Sequence, residues 1–195
     1  MILTTKKVEA HGIINNMRDA SVQKQQAGFD LTLESIYEFA SGGAVDFDNK
    51  ERKIADCKKI EFTNGWAELK KGSYKITLNE RFKVPADAAG LCLTRTTMIR
   101  NGAYLITGLW DPGFEGKVEM LLVVDNPFGI KLKEHARVGQ IYFLRMESAA
   151  EKLYEGIYKD LDSKGGTSHA NKGRNRGNKG MVPGQEKGGK KARSG

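Results

Sequence analysis

Polar and apolar residues alternate with a period of two in several short stretches, and that spacing predicts strands. Phe29-Asp-Leu-Thr-Leu-Glu34 puts every second residue on one apolar face, and residues 74–78 do the same after the turn Lys71-Gly-Ser, as half-buried strands require. Lys117-Val-Glu-Met-Leu-Leu-Val-Val124 begins by alternating and ends as an apolar run, and residues 138–146 form another apolar, β-prone stretch. Asn64-Gly65, Asn101-Gly102, Asp111-Pro112-Gly113 and Asp125-Asn126-Pro127 mark turns between them. Helical periodicity is confined to residues 5–16 and a short piece at 148–154. Many short strands separated by such turns predict an all-β sandwich or barrel, with a jelly roll among the candidates.

Composition adds where this body ends. The chain has 195 residues and a net charge of +8. Residues 164–195 hold nine Lys or Arg and one acid, Glu186, which is the whole excess; the preceding residues balance to zero. The expected division is therefore a neutral domain over residues 1–162 and a flexible, basic, Gly/Lys/Arg-rich tail over residues 163–195. Such a tail buries too little apolar surface to offset its chain entropy. Two cysteines, Cys57 and Cys92, form no disulfide framework or metal-ligand spacing. Neither a signal peptide nor an apolar run of membrane-spanning length is present, so the expected location is the cytoplasm, with no membrane partner.

Four clusters carry candidate chemistry. Gln26-Ala-Gly-Phe-Asp30 sets a carboxylate just after a glycine at the start of a strand; it reads as a plain turn into that strand or as a site for hydrated Mg²⁺. Thr94-Arg-Thr-Thr-Met-Ile-Arg100 interleaves Arg95 and Arg100 with the hydroxyls of Thr96 and Thr97. Those donors suit phosphate oxygens, although a solvated strand edge has the same composition. In Thr107-Gly-Leu-Trp-Asp-Pro-Gly-Phe-Glu-Gly116, Asp111 is either the hydrogen-bonding residue of a turn or a rigid carboxylate able to deprotonate water. The tail segment Gly165-Gly-Thr-Ser-His-Ala-Asn-Lys-Gly173 lacks Walker spacing, and is either a phosphate-wrapping loop or solvated chain. His11, His135 and His169 show no zinc-hydrolase pairing, and no G-x-S-x-G elbow is present. Trp66 and Trp110 read as core or rim residues.

In order along the chain these clusters resemble the dUTPase/dCTP-deaminase superfamily, and its archaeal and deaminase-like branch in particular. Gln26-Ala-Gly-Phe-Asp-Leu31 is similar to the opening A-G-Y-D-L motif. Phe82-Lys-Val-Pro85 followed by Arg95-Thr-Thr resembles the segment that ends in R-S-S. Trp110-Asp-Pro-Gly-Phe-Glu-Gly116 is similar to the D-P-G-[WF]-x-G signature, and Val138-Gly-Gln-Ile-Tyr-Phe143 to the late Gln-bearing strand. The resemblance spans roughly residues 25 to 160. It implies a distorted jelly-roll or β-barrel of the β-clip kind with minor short helices, assembled as a homotrimer, and hydrolysis of dUTP to dUMP and pyrophosphate with Mg²⁺. It also implies roles. Asp111 orients the water that attacks the α-phosphorus, and Asp30 holds Mg²⁺ through water. Arg95, Thr96, Thr97 and another subunit's Gln140 contact phosphates. The backbone of Thr107, Gly108 and Leu109 reads the base edge, and Phe114 packs on the deoxyribose.

Two departures bear on the reaction. The superfamily's deaminases use a glutamate in the strand after the D-P-G turn, where this chain has Leu121; Glu119 lies two residues earlier on the same strand face. Leucine moves no protons, so hydrolysis of dUTP is expected ahead of its alternative, a dCTP deaminase or a bifunctional enzyme. Thr96 and Thr97 replace the usual serines. A third alternative, from a different class, is a non-catalytic module whose cationic tail makes weak, salt-sensitive contact with nucleic acid.

Overall fold

Alternation in the sequence becomes an antiparallel, nearly closed barrel-like sheet in the computed structural model, which describes residues 1–159. The elements in chain order are α1 (Thr5–Ala10), β1 (Ile14–Asn15), α2 (Ala20–Gln23), β2 (Phe29–Phe39), β3 (Cys57–Ile60), β4 (Trp66–Leu69), β5 (Gly72–Leu78) and β6 (Arg81–Lys83). They continue with β7 (Ala88–Thr94), α3 (Thr96–Arg100), β8 (Ala103–Ile106), β9 (Glu115–Gly116), β10 (Glu119–Val124), β11 (Ile130–Lys133) and β12 (Arg137–Arg145). The main sheet runs β7-β12-β2-β5-β10-β8, with β3 beside the far half of β2. Its two end strands are joined through α3 and by a side chain: Leu105 N donates to Thr94 Oγ1 at 2.8 Å. A three-stranded sheet β1-β6-β9 and a pair β11-β4 complete the sheets.

The core is what the alternation selects. Met120, Leu122 and Val124 point inward from β10, while Glu119, Leu121 and Val123 take the other face. They meet Leu31, Leu33 and Ile36 of β2, Ile76 and Leu78 of β5, and Ile141 and Phe143 of β12, all buried. Each large side chain so buried contributes about 1.5–3 kcal/mol relative to exposure. β2 departs from the simple pattern: Asp30 and Thr32, its polar alternates, are buried as well, because its outer face at this end is covered from α2 and the β5–β6 turn.

The helices differ from expectation. α1 stops at Ala10 instead of reaching residue 16, because the chain must leave the helix to bury Ile13 and pair Ile14 with Phe82. Residues 148–154 form no helix; they lie along the body, with Ala150 N donating to Ala86 O and Tyr154 N to Pro112 O, both at 2.8 Å. The single turns α2 and α3 were not expected. Asp19 caps α2, accepting from Ser21 N at 2.9 Å. Trp110 is a core residue packed on Phe82 at 5.6 Å between ring centroids, and Trp66 is a rim residue beneath the Lys133 ammonium. No helix among the described residues is long and apolar enough to cross a membrane. The expected boundary at residue 162 and the basic tail lie outside the described residues.

Candidate active site

Two clusters of expected site residues are built by different parts of the fold. In the first, Asp30 sits opposite Gln140 in the β2–β12 ladder. The approach of these strands depends on Gly28, where an added Cβ would lie 2.2 Å from the Ile141 carbonyl oxygen. Asp30's side chain is only 3% exposed, and its Oδ2 meets two guanidiniums, Arg95 Nε at 3.1 Å and Arg137 Nη1 at 3.0 Å. Arg95 Nη1 also donates to the carbonyl of Arg137 at 3.2 Å, and Arg137 Nη1 to that of Val22 at 3.2 Å. A register shift between Arg137 and Gly139 marks an irregularity in β12 that re-aims Arg137 at β2. Burial is the largest influence on the Asp30 carboxyl and pushes its pKa up, while both arginines pull it back down.

Two cations on one acid leave positive charge over, and both guanidiniums keep a partly exposed side. β7 gives way to α3 at Arg95, so Thr96 and Thr97 stand exposed in the helix's first turn, where backbone N–H groups lack helical partners. Arg100, also exposed, is four residues from Thr96 and shares its side of α3. A groove of about 410 Å³ opens beside Thr97 and Arg137, with Lys131 on its wall. Together these donors are arranged for an oxyanion such as phosphate.

That arrangement does not fit Asp30 as a metal ligand. Its carboxylate is sealed and already shared by two arginines, and a surplus of positive charge repels a cation. No group of three or more His, Cys, Asp or Glu able to hold a metal ion exists among the described residues. In this structure the Asp30 carboxylate holds Arg95 and Arg137.

The second cluster surrounds Asp111. Asp111-Pro112-Gly113-Phe114 closes a turn through Phe114 N to Asp111 O at 3.0 Å, with Gly113 at φ +81°, as a type II turn requires. Gly113 N donates to Val84 O at 3.0 Å, and Trp110 exchanges both backbone bonds with Gly90 of β7, at 2.9 and 3.0 Å. The backbone is thus pinned from several sides, while no hydrogen bond or ion pair occupies the Asp111 carboxylate among the described residues. Just upstream, Thr107, Gly108 and Leu109 run outside any strand, with Gly108 and Leu109 exposed, so their backbone groups are free of a ladder.

Phe114 is 8% exposed and meets the edge of Tyr154 at 5.6 Å and 64°, where residues 150–154 cross the turn. Tyr154 lies close enough to Asp111 for that carboxylate to help raise its pKa, though burial is the larger cause. Glu119 is engaged by Lys75 at 2.7 Å on the face of β10 that also carries Leu121.

The two clusters are not brought together within one chain. Trp110 binds Gly90 in the first half of β7, whereas Arg95 follows the far end of the same strand. Five residues of strand separate them by about 16 Å. Between them, Leu93 of β7 and Ile106 and Leu109 of the segment running back from Thr94 to Gly90 are exposed. Arg137, Gln23 and Glu80 around Asp30 escaped sequence reasoning, since a lone cation before a strand and two polar residues near turns carry no distinguishing spacing.

Residues 3–146 match the family model described as dCTP deaminase-like. The chain belongs to that family. Among its curated relatives, the probable deoxyuridine 5′-triphosphate nucleotidohydrolase of Methanosarcina mazei is 42% identical over 149 residues, covering 76% of this chain and 87% of the relative. That of Archaeoglobus fulgidus is 40% identical over 160 residues, covering 81% and 94%. The deoxyuridine 5′-triphosphate nucleotidohydrolase of Methanocaldococcus jannaschii is 36% identical over 141 residues, covering 70% and 87%. In this dCTP deaminase-like fold, a solved neighbour is the 2′-deoxycytidine 5′-triphosphate deaminase of Agrobacterium tumefaciens, with a TM-score of 0.55 at 21% identity, covering 73% of this chain and 47% of the other.

Proposed function

We propose that this chain hydrolyses dUTP to dUMP and pyrophosphate in sites assembled between copies of itself, as a homotrimer. The substrate follows from the names of relatives at 36–42% identity. The observation that carries the assembly is the separation of Asp111 from the Arg95–Arg137 pair, with an exposed apolar face between them. In this reading Asp111 of one copy orients and deprotonates the water that attacks the α-phosphorus. The neighbouring copy supplies Arg95, Thr96, Thr97, Arg100 and Gln140 to the phosphates and stabilises charge on the departing pyrophosphate. The backbone of Thr107, Gly108 and Leu109 reads the base. Mg²⁺ on the substrate would lower the charge of the triphosphate that Arg95 and Arg137 face.

Incubation with dUTP, dCTP, dTTP and UTP in parallel tests this reading. Pyrophosphate release from dUTP well above the other three is expected, and an enzyme that leaves dUTP intact overturns it. The family description keeps dCTP deamination in view, but Leu121 has no acid function and Glu119 is held by Lys75. Ammonia release from dCTP would restore that alternative.

A further inference from the structure

Behind the arginine pair lies a second acid that the proposed chemistry does not use. Glu80, in the turn between β5 and β6, is completely buried, yet its carboxylate is met by donors. Thr32 N donates to Oε2 at 3.0 Å, Thr32 Oγ1 to Oε1 at 2.5 Å and Gln23 Nε2 to Oε1 at 2.7 Å. The Thr32 hydroxyl has a defined direction, because its oxygen already accepts from Asn79 Nδ2 at 2.9 Å and its hydrogen is left for Glu80. These donors favour the ionised form and oppose the burial that raises the carboxyl's pKa.

Gln23 carries the constraint onward. The same Nε2 that meets Glu80 also donates to the backbone carbonyl of Asp30 at 2.9 Å, and Oε1 accepts from Asp19 N at 3.0 Å. Gln23 is 2% exposed, so water offers its amide little substitute for these partners. Asp30 and Thr32 project from the same face of β2. Glu80 therefore grips Thr32 directly and Asp30 through Gln23.

We propose that Glu80 is a positioning residue of the triphosphate site: through Thr32 and Gln23 it fixes the segment of β2 bearing Asp30, and Asp30 in turn aims Arg95 and Arg137. Glu80 touches no substrate. Its role deepens the proposed dUTP hydrolysis and rests on it for the kinetic arm of the test alone. A buried acid that served only packing would have no reason to share one amide with the backbone of the residue that holds both guanidiniums.

The test uses the full chain with Glu80→Gln and Gln23→Met, each checked for folding by circular dichroism. Steady-state kinetics with dUTP and the NMR signal of the Arg95 Nε–H in ¹⁵N-arginine protein are the readouts. In folded Glu80→Gln the KM for dUTP rises by about tenfold or more while kcat changes far less. The Arg95 Nε–H loses its protection from solvent exchange. Adding Asp30→Asn to Glu80→Gln raises KM little further than Asp30→Asn alone, as expected for residues acting in series. A folded variant with the wild-type KM and an unchanged Arg95 signal overturns the proposal, as does full additivity with Asp30→Asn. If Glu80→Gln does not fold, Gln23→Met carries the test with the same two outcomes, because it leaves Glu80 its Thr32 bonds. A wild-type enzyme inert toward dUTP refutes the proposed function, and the Arg95 signal then decides the positioning role alone.

Discussion

Arg95 and Arg137 place their guanidiniums on the same carboxylate oxygen, Oδ2 of Asp30, at 3.1 and 3.0 Å. One residue comes from the end of β7 and the other from the start of β12, so a single buried acid ties two strands' cations into one anion-facing pair.

Asp30→Asn removes the charge that holds this pair. A charge-assisted hydrogen bond of this kind contributes about 1.5–3 kcal/mol, so KM for dUTP is expected to rise about 10–100-fold. Titration of Mg²⁺ separates the two roles considered for Asp30. If the residue aims the arginines, extra Mg²⁺ leaves the defect unchanged. Recovery of wild-type KM at high Mg²⁺ would show it to be a metal ligand.

Gly28→Ala forces a Cβ to within 2.2 Å of the Ile141 carbonyl oxygen, a backbone atom that cannot move aside cheaply. β2 and β12 must separate beside Asp30. A loss of about 1–3 kcal/mol in stability is expected, measured by urea unfolding, together with a raised KM. An alanine variant of unchanged stability would mean the strands do not approach so closely.

Glu80 predicts a signed dependence of stability on pH. Burial is the dominant influence and raises its carboxyl above the ordinary value near 4.5, with the bonds from Thr32 and Gln23 opposing. The folded state therefore holds the proton more tightly than the unfolded chain. The resulting stabilisation is complete below the unfolded pKa and is lost as pH rises through the folded one. Urea midpoints of wild type should fall over that interval more steeply than those of Glu80→Gln, which has no proton to lose at this position. Asp30, shifted in the same direction, remains in both proteins and cancels. Parallel profiles would contradict the assignment.

Strands β2, β5 and β10 were legible because apolar residues recur at every second position along them, and β12 because it is an apolar, β-prone run. The same rule misled at Asp30 and Thr32, whose polarity suggests a solvated face. They are buried because Gln23, in α2 just before β2, and Glu80, distant in sequence, satisfy that face. Asp111 and Arg95 were singled out from local clusters, and the backbone of residues 107–109 from the family resemblance. Arg137 was not, since its partnership with Asp30 exists only through the β2–β12 register and the irregularity after it. The covering of Phe114 by Tyr154 likewise depends on where residues 150–154 return to the D-P-G turn, which no local pattern encodes.

Sharing of each site between two copies is the central claim, and subunit complementation tests it most directly. Asp111→Asn and Arg95→Ala chains are each expected to be nearly inactive alone. Unfolded and refolded together in equal amounts, they should regain about a quarter of wild-type dUTP hydrolysis, the fraction of interfaces in a random cyclic assembly that unite an intact Asp111 with an intact Arg95. Mixed assemblies, verified by differential tagging, that remain as inactive as either parent would contradict the account.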